Sequence, residues 1–434
     1  MRFRFDGTRL WPARRLESAR RQNTDSAEVL QSYDKNGLHP CPYARCGDMD
    51  IYNTAGGKAM DLDMKLTCNR DLLSAAVQTV SRAVSPRSSL KVLEGIYIKA
   101  YSDGRTVLIG NDLEIGIETS IETNVAEEGE IVLGAKMFGN IVRTLDEEEV
   151  KIETLENNLT RISSGRAKFE ITGLSAHEFP GLPEVRDGYS VKLPGSILKD
   201  MIEKTSFSVS KLDDNPVLTG CLLKITKEGL SMVALDGFRM AIRNVSLPNE
   251  FEERELIIPE KSLSELSKMI ENDEDEVEIT ATDSHAIFIC GNAKMVTRLI
   301  EGSYINYKNV IPKEFGIEIE CSKNQLAETV KRASLIIVND LVKSPIKFKI
   351  SEGNINVTCA TTAGSVDDNI PVDVGDKYLE IGFYNRYLNE ALNVIHDDVI
   401  KLKFNKSEMP LIITPVEGDD YLYLILPLRL KASE

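Results

Sequence analysis

The chain is 434 residues long, 42% hydrophobic and 28% charged, with a formal net charge of −16. That length suits about three domains, and with no run of about 18 apolar residues the sequence offers no helix to span a membrane. The acidic total, taken alone, argues against nucleic acid as a partner, although total charge governs solubility while its distribution governs binding.

Residues 1–63 differ in character from the rest of the chain. They hold the only tryptophan, Trp11, a basic start (Arg2, Arg4, Arg9, Arg14, Arg15, Arg20, Arg21) and little periodicity. No apolar segment of a secretory signal is present, and Asp6, Glu17, Asp25 and Glu28 weigh against an organelle-targeting segment. The expectation is an N-terminal extension with little order, or a start assigned upstream of a functional Met64. Cys41 and Cys46, with His39 beside them, suggest a metal site, but a second ligand pair at suitable spacing is missing, so neither metal nor cofactor is expected. All seven cysteines are scattered and odd in number, which fits reduced thiols in a cytoplasm better than a disulfide framework.

From Met64 a pattern begins. Lys65–Cys68 reads as a strand, and Asn69 or Asp71 can cap a helix with Leu72, Leu73, Ala76, Val77, Val80 and Val84 on one face. The unit returns at Ser190–Leu193, with Ser196 as the expected cap and Ile197, Leu198, Met201 and Ile202 buried, and again at Ile317–Cys321 with Leu326 and Val330. Hairpins follow each helix. Val92–Gly95 leads into Ile96–Tyr101, the turn Asp103-Gly104 and Val107–Ile109. Val217–Gly220 leads into Leu222–Ile225, Glu228-Gly229 and Leu230–Ala234, and the third pair is Ile346–Ile350 and Ile355–Cys359 about Glu352-Gly353.

A second helix is written three times. Glu130–Leu133 precedes Lys136–Leu145, Glu255–Ile258 precedes Lys261–Ile270, and Glu380–Phe383 precedes Arg386–Ile395, each glutamate 125 residues from the last. Lys136, Lys261 and Arg386 then fall on equivalent positions, as do Arg143, Lys268 and Asn393, two turns further along the same face. Phe138, Ile141, Val142 and Leu145, then Leu263, Leu266, Met269 and Ile270, then Leu388, Leu392 and Ile395, form the opposite, apolar face. Residues 64–434 therefore read as three copies of one α+β domain with mainly antiparallel sheets. The expected divisions are 64–184, 185–311 and 312–434, with junctions at Phe179–Pro183 and near Val310-Ile311-Pro312.

Three equal domains in series suggest an arc, and an arc that pairs head to tail with a second copy closes a ring. Basic helices inside and acidic strands outside would reconcile an acidic chain with nucleic acid through contacts to phosphate, which carry no sequence information. The plain alternative is that each helix only solvates an outer face. The same positions being basic in successive copies favours function.

Several runs strengthen that reading: Asp112-Leu113-Glu114, Ser164-Gly165-Arg166, Glu178-Phe179-Pro180, Asp236-Gly237-Phe238-Arg239-Met240 and Leu426-Pro427-Leu428-Arg429-Leu430. In order, and on a threefold repeat, they make the chain from Met64 resemble the bacterial DNA polymerase III beta subunit family, the sliding clamps. The resemblance implies three tandem copies of the DNA-clamp domain in a head-to-tail homodimer, helices lining a hole for duplex DNA and antiparallel sheets outside. It implies a DNA-replication processivity factor without a catalytic site. Any DNA-directed DNA polymerase, nucleotidyltransferase or transferase activity would belong to the holoenzyme it serves.

By the same resemblance, a peptide groove between the second and third domains receives the replicative polymerase alpha subunit, the clamp loader, repair polymerases and mismatch-repair proteins. The matching positions are Leu218, Leu235, Gly237, Phe238, Arg239, Met240, Ile305, Val310, Tyr387, Leu424, Ile425, Leu426, Pro427, Leu428 and Arg429. The chain departs from the family pattern where Leu426 and Leu428 stand for common methionines, Ile305 for a proline and Asn309 for an arginine. For DNA the positions are Arg87, Lys136, Arg143, Lys211, Lys261, Lys268 and Arg386; the loop 211–216 is acidic and lacks the usual arginine. For the dimer seam, Phe169 and Ile171 would meet Leu335 and Ile336. Two rivals belong to other classes. One is a metal-dependent nucleotidyltransferase or nuclease using the acidic runs Asp146–Glu149 and Asp273–Glu276, and the other is a monomeric peptide-binding adaptor. No Gly-rich phosphate loop or His-Glu-x-x-His supports the first, and His39, His177, His285 and His396 are isolated.

Overall fold

Each repeat is built from two strand-into-helix units whose helices pack together over the sheets. The computed structural model describes residues 64–183, 189–212, 214–247, 252–272, 274–337 and 344–430. The N-terminal extension with His39, Cys41 and Cys46, the residues Asp213 and Asp273, the expected 184/185 division and the last four residues lie outside them.

The strand Lys65–Asn69 runs into α1 (Arg70–Ser81), where the Asn69 side chain accepts from the N–H groups of Asp71 (2.8 Å) and Leu72 (3.2 Å). That cap satisfies two donors that the first turn leaves without partners. Leu73, Ala76, Val77 and Val80 are buried as expected, but Leu72 is 50% exposed. It sits about 100° around the helix from Leu73 and so leaves the apolar stripe. The remaining helices are α2 (Ala135–Thr144), α3 (Gly195–Thr205), α4 (Glu260–Met269), α5 (Lys323–Ser334) and α6 (Asn385–Asn393). Helix α1 packs on α2, α3 on α4 and α5 on α6. Ser196 does not cap α3. Pro194 ends the preceding strand at the cap position, its ring fixing φ for an immediate helical start, and Ser196 falls inside the first turn. Val92–Gly95 and Val217–Gly220 are not strand throughout: Lys91–Glu94 and Pro216–Thr219 are short 3-10 turns, and strands begin at Gly95 and Gly220. A Cβ at Gly95 would stand 2.4 Å from Val132 Cγ1, and one at Gly220 2.5 Å from the Ile258 carbonyl oxygen, so the chain turns where only glycine allows neighbouring strands to close in.

The strands pair antiparallel in four sheets. Two of these are eight-stranded and cross from one repeat to the next. In one, Ala293–Arg298 of the second repeat pairs with Ile115–Glu122 of the first, placing Lys294 opposite Glu118 and Met295 opposite Ile117. In the other, Arg239–Ser246 of the second repeat pairs with Tyr421–Ile425 of the third, placing Met240 opposite Leu424. The two outer sheets stay within their repeats. The five-stranded sheet ends at Ala167–Thr172, and the four-stranded sheet ends at Gly364–Pro371. Consecutive repeats are thus joined by ladder hydrogen bonds between strands far apart in sequence, and the apolar helix faces (Phe138, Leu263, Leu388) are fully buried beneath.

Candidate functional site

All seven cations expected to meet phosphate are exposed: Arg87, Lys136, Arg143, Lys211, Lys261, Lys268 and Arg386. Each helix repeat presents its cations opposite its buried face, as the 3.6-residue period demands. Several are already engaged. Lys268 Nζ donates to Glu265 (2.7 Å), Arg386 Nε to Glu390 (2.7 Å), and Arg143 to Asn140 Oδ1 (2.7 Å) and the Gly139 carbonyl (3.1 Å). Lys261 reaches across the junction between the first two repeats to Asp112, an ion pair that joins residues 149 apart in sequence.

Asn140, Glu265 and Glu390 occupy one position in the repeated helix, 125 residues apart, a spacing that a search for basic residues passes over. Each accepts from a cation on its own helix. At both internal junctions the carboxylate also takes an arginine from the neighbouring repeat: Glu265 pairs with Arg82 (3.5 Å), and Glu390 with Arg239. Arg239 is 3% exposed. Its Nε donates to Asp236 (3.0 Å), another nitrogen donates to the Phe207 carbonyl, and the guanidinium lies 4.6 Å from the Tyr387 ring centre and 5.4 Å from that of Phe207. Burial raises the Asp236 carboxyl above its ordinary value, despite hydrogen bonds from the Phe238 and Arg239 N–H groups and the charge of Arg239. Burial also works to raise Glu390, but hydrogen bonds from Arg386 and Arg239 outweigh it and hold that carboxyl below the ordinary range.

The residues expected to form a peptide groove come together in layers. Leu218, Leu235, Met240 and Leu424 are buried in one apolar cluster with Ile305, Val310 and Leu426 packed on it. Ile425 and Tyr387 belong to the adjoining core of the third repeat. Gly237, Phe238, Ile305, Val310, Tyr387, Leu426, Pro427 and Leu428 are half-buried and Arg429 is exposed, while the others lie buried. Arg239 is a buried strut rather than an exposed contact. The chain end is held in place: Leu426 N–H donates to the Phe238 carbonyl and Leu428 N–H to that of Gly382, both at 2.8 Å. The same position at the first junction carries Glu114 and Arg298, joined by the equivalent backbone bond (3.0 Å), so charge stands there where Phe238 and Leu426 offer apolar surface.

A cleft of about 1350 Å³ lies between α1, α2 and the loop 84–94, and no sequence pattern signals it. Arg87, Lys136 and Arg143 line it beside Met137, Asn140 and Leu174. Met137 is 59% exposed, Leu174 42% and, on the third repeat, Leu335 77%. Phe169 is half-buried and Ile171 buried on the terminal strand Ala167–Thr172, while Ile336 is half-buried against its own core.

Little here suits covalent chemistry. Burial pushes the Cys68, Cys221 and Cys321 thiols up to about 12 and Cys290 to about 11, leaving scant thiolate near neutral pH. His177 lies in the short turn Ala176–Glu178, and Asp146–Glu149 is exposed surface. Among the described residues no group of three or more His, Cys, Asp or Glu is placed to hold a metal, and no helix is long and apolar enough to cross a membrane.

Family models of the DNA polymerase III beta subunit match the chain in succession: the N-terminal domain over residues 64–183, the central domain over 192–306 and the C-terminal domain over 308–429. The chain belongs to the bacterial DNA polymerase III beta subunit, or beta sliding clamp, family. It is 32% identical over 381 residues to a beta sliding clamp of Staphylococcus epidermidis, covering 84% of this chain and 99% of that one. It is 34% identical over 380 residues to that of Halalkalibacterium halodurans, covering 84% and 100%. A solved DNA polymerase III beta subunit from Eubacterium rectale superposes with a TM-score of 0.82 at 35% identity, and the Bacillus subtilis sliding clamp with 0.82 at 31%; each covers 85% of this chain and all of its own. The fold is three tandem clamp domains of the α+β class, and a clamp of this family is a polymerase processivity factor rather than an enzyme.

Proposed function

We propose that this clamp acts as a head-to-tail homodimer that encircles duplex DNA in the bacterial cytoplasm and tethers the replicative polymerase through the groove between its second and third domains. The divisions 64–184, 185–311 and 312–434 serve as its domains. The observation that carries the ring is where the sheets stop. Each internal junction joins the third strand after a helix in one domain to the third strand after a helix in the next. Ala167–Thr172 and Gly364–Pro371 are the equivalent strands at the two ends, and each lies at the edge of its sheet. A second copy supplies what each lacks.

The register follows from the repeat. Asp112, Asp236 and Thr361 mark one turn position, since each side chain accepts the N–H two residues on. Carrying the first junction's pairing across sets Lys168 opposite Asp367 of the second copy and Phe169 opposite its Val366. These reproduce the Lys294–Glu118 and Met295–Ile117 pairs. Leu335 occupies the position of Arg82 and Phe207 at the end of its helix. It therefore falls against Asn140 of the other copy, filling the cleft beside Met137 and Leu174. The seam is thus apolar where the internal junctions use arginine and glutamate.

In the closed ring the exposed cations of α2, α4 and α6, with Arg87 and Lys211, meet phosphates weakly and without sequence preference, which permits sliding. The half-buried apolar rim from Gly237 to Leu428 takes the Leu/Phe anchors of partner peptides, including the clamp loader and repair proteins. Retention on nicked circular DNA tests the mechanism. Persistence on the circle with rapid loss once the circle is cut is the expected result; equal retention on both forms would mean ordinary binding and would end the ring reading.

A further inference from the structure

We infer that Glu390 is a positioning residue that couples the peptide groove to the DNA-facing surface, so that contact with DNA tightens the hold on peptide. This rests on the function proposed above. A single carboxylate serves both sides: Oε2 accepts from Arg239, and Oε1 from Arg386 Nε at 2.7 Å. The two arginines differ in kind. The Arg239 side chain is 4% exposed and stiffens the groove floor between Asp236 and the Tyr387 ring. The Arg386 side chain is 45% exposed, at the position of Lys136 and Lys261.

The consequence is a competition. A phosphate that draws Arg386 away leaves the Glu390 charge to Arg239 alone. That pair tightens, and the Tyr387 side of the groove is held more firmly in the form a peptide needs. Preorganisation of this kind strengthens binding without any new contact. By linkage, peptide must favour the phosphate-bound position of Arg386 by the same factor. The first junction provides an internal comparison. Glu265 likewise holds a cross-junction arginine, Arg82, and a cation on its own helix, Lys268. There the cation is Lys268, at the position of Asn393 rather than of Arg386, and the equivalent rim is Glu114 and Arg298 rather than Phe238 and Leu426, so a comparable relay has no groove to act upon.

The test is the affinity of a fluorescent peptide carrying the Leu/Phe anchors, measured on the full chain free in solution and loaded on nicked circular DNA. For the unsubstituted protein the peptide binds about fivefold tighter on DNA, at the low end of site-to-site couplings because one hydrogen bond is exchanged. Glu390→Gln abolishes the difference. So does Arg386→Gln, which alters only the exposed end of the relay and leaves the buried pair in place. Equal affinity in the two states, with peptide bound and clamp retained, overturns the coupling while leaving the clamp reading intact. A difference that survives both substitutions also overturns it. Failure of peptide binding or of DNA retention in the unsubstituted protein overturns the functional reading and the coupling with it.

Discussion

The two internal junctions share a ladder geometry and differ in what surrounds it. Between the first and second domains, the cross-junction ion pairs are partly exposed, Lys261 (54%) with Asp112 (8%) and Arg82 (24%) with Glu265 (18%). Between the second and third, one arginine is buried among two carboxylates, a carbonyl and two rings, and an apolar rim lies open beside it. At the first junction Glu114 and Arg298 stand where an apolar rim would lie. At the second, the joint also underlies the apolar rim proposed to dock peptides, and a desolvated arginine takes the place of a partly exposed pair.

The largest way to break this comparison is Arg239→Ala. It strands the poorly exposed Asp236 and half of Glu390, and loss of one partner from such a buried cluster costs about 3–5 kcal/mol. Lys261→Ala costs less than about 1 kcal/mol by contrast, because the lysine side chain is 54% exposed and Asp112 keeps the N–H groups of Glu114 and Ile115. Urea unfolding of both variants decides the matter, and equal losses would erase the distinction. Next in size is the proposed seam, where Asn140 stands at the position of Glu265 and Glu390. Leu335→Asp weakens self-association by about 100-fold, the weight of one interface hot spot, read by sedimentation over a dilution series.

A smaller effect concerns acid. The folded Glu390 carboxyl lies below its ordinary value, so its stabilisation is complete above about pH 4.3 and is lost as pH falls through the folded value. Asp236, raised by burial, slopes the opposite way, costing stability as pH rises through the interval above its ordinary value. Glu390→Gln therefore flattens the acid limb of the melting temperature, and Asp236→Asn does not. Smallest is Lys136→Gln. It lowers the salt dependence of DNA association by about 0.9 in log–log slope per phosphate contact removed, with little change in stability.

Much of this was legible in the chain because repetition multiplies weak signals. A lone amphipathic helix says little; three at a spacing of 125, each with a cation at one point, defined both the domain and its basic face. Leu72 and Ser196 mislead because an apolar neighbour or a hydroxyl near a helix start fits two registers, and only packing or a proline chooses between them. The junctions were less readable. Asp112 and Lys261, or Arg239 and Glu390, are linked by sheets that cross between domains, and no local pattern announces such partners. The groove residues were found by resemblance, yet their division into floor and rim is a matter of burial. The spacing of Asn140, Glu265 and Glu390 was the one available signal for the junctions, and it marks acceptors, whereas a basic helix face draws the eye to donors.

The two terminal strands carry a further consequence. An open sheet edge invites any other edge, including its own twin. On Gly364–Pro371 the adjacent aspartates Asp367 and Asp368 sit near the middle of the strand, so antiparallel pairing of two such strands brings like charges face to face. The edge Ala167–Thr172 bears Lys168, which suits those aspartates. In the proposed ring each edge is thereby steered from its twin and towards the opposite end of another molecule, and Asp367→Asn with Asp368→Asn is expected to remove that bias, read as larger assemblies in sedimentation.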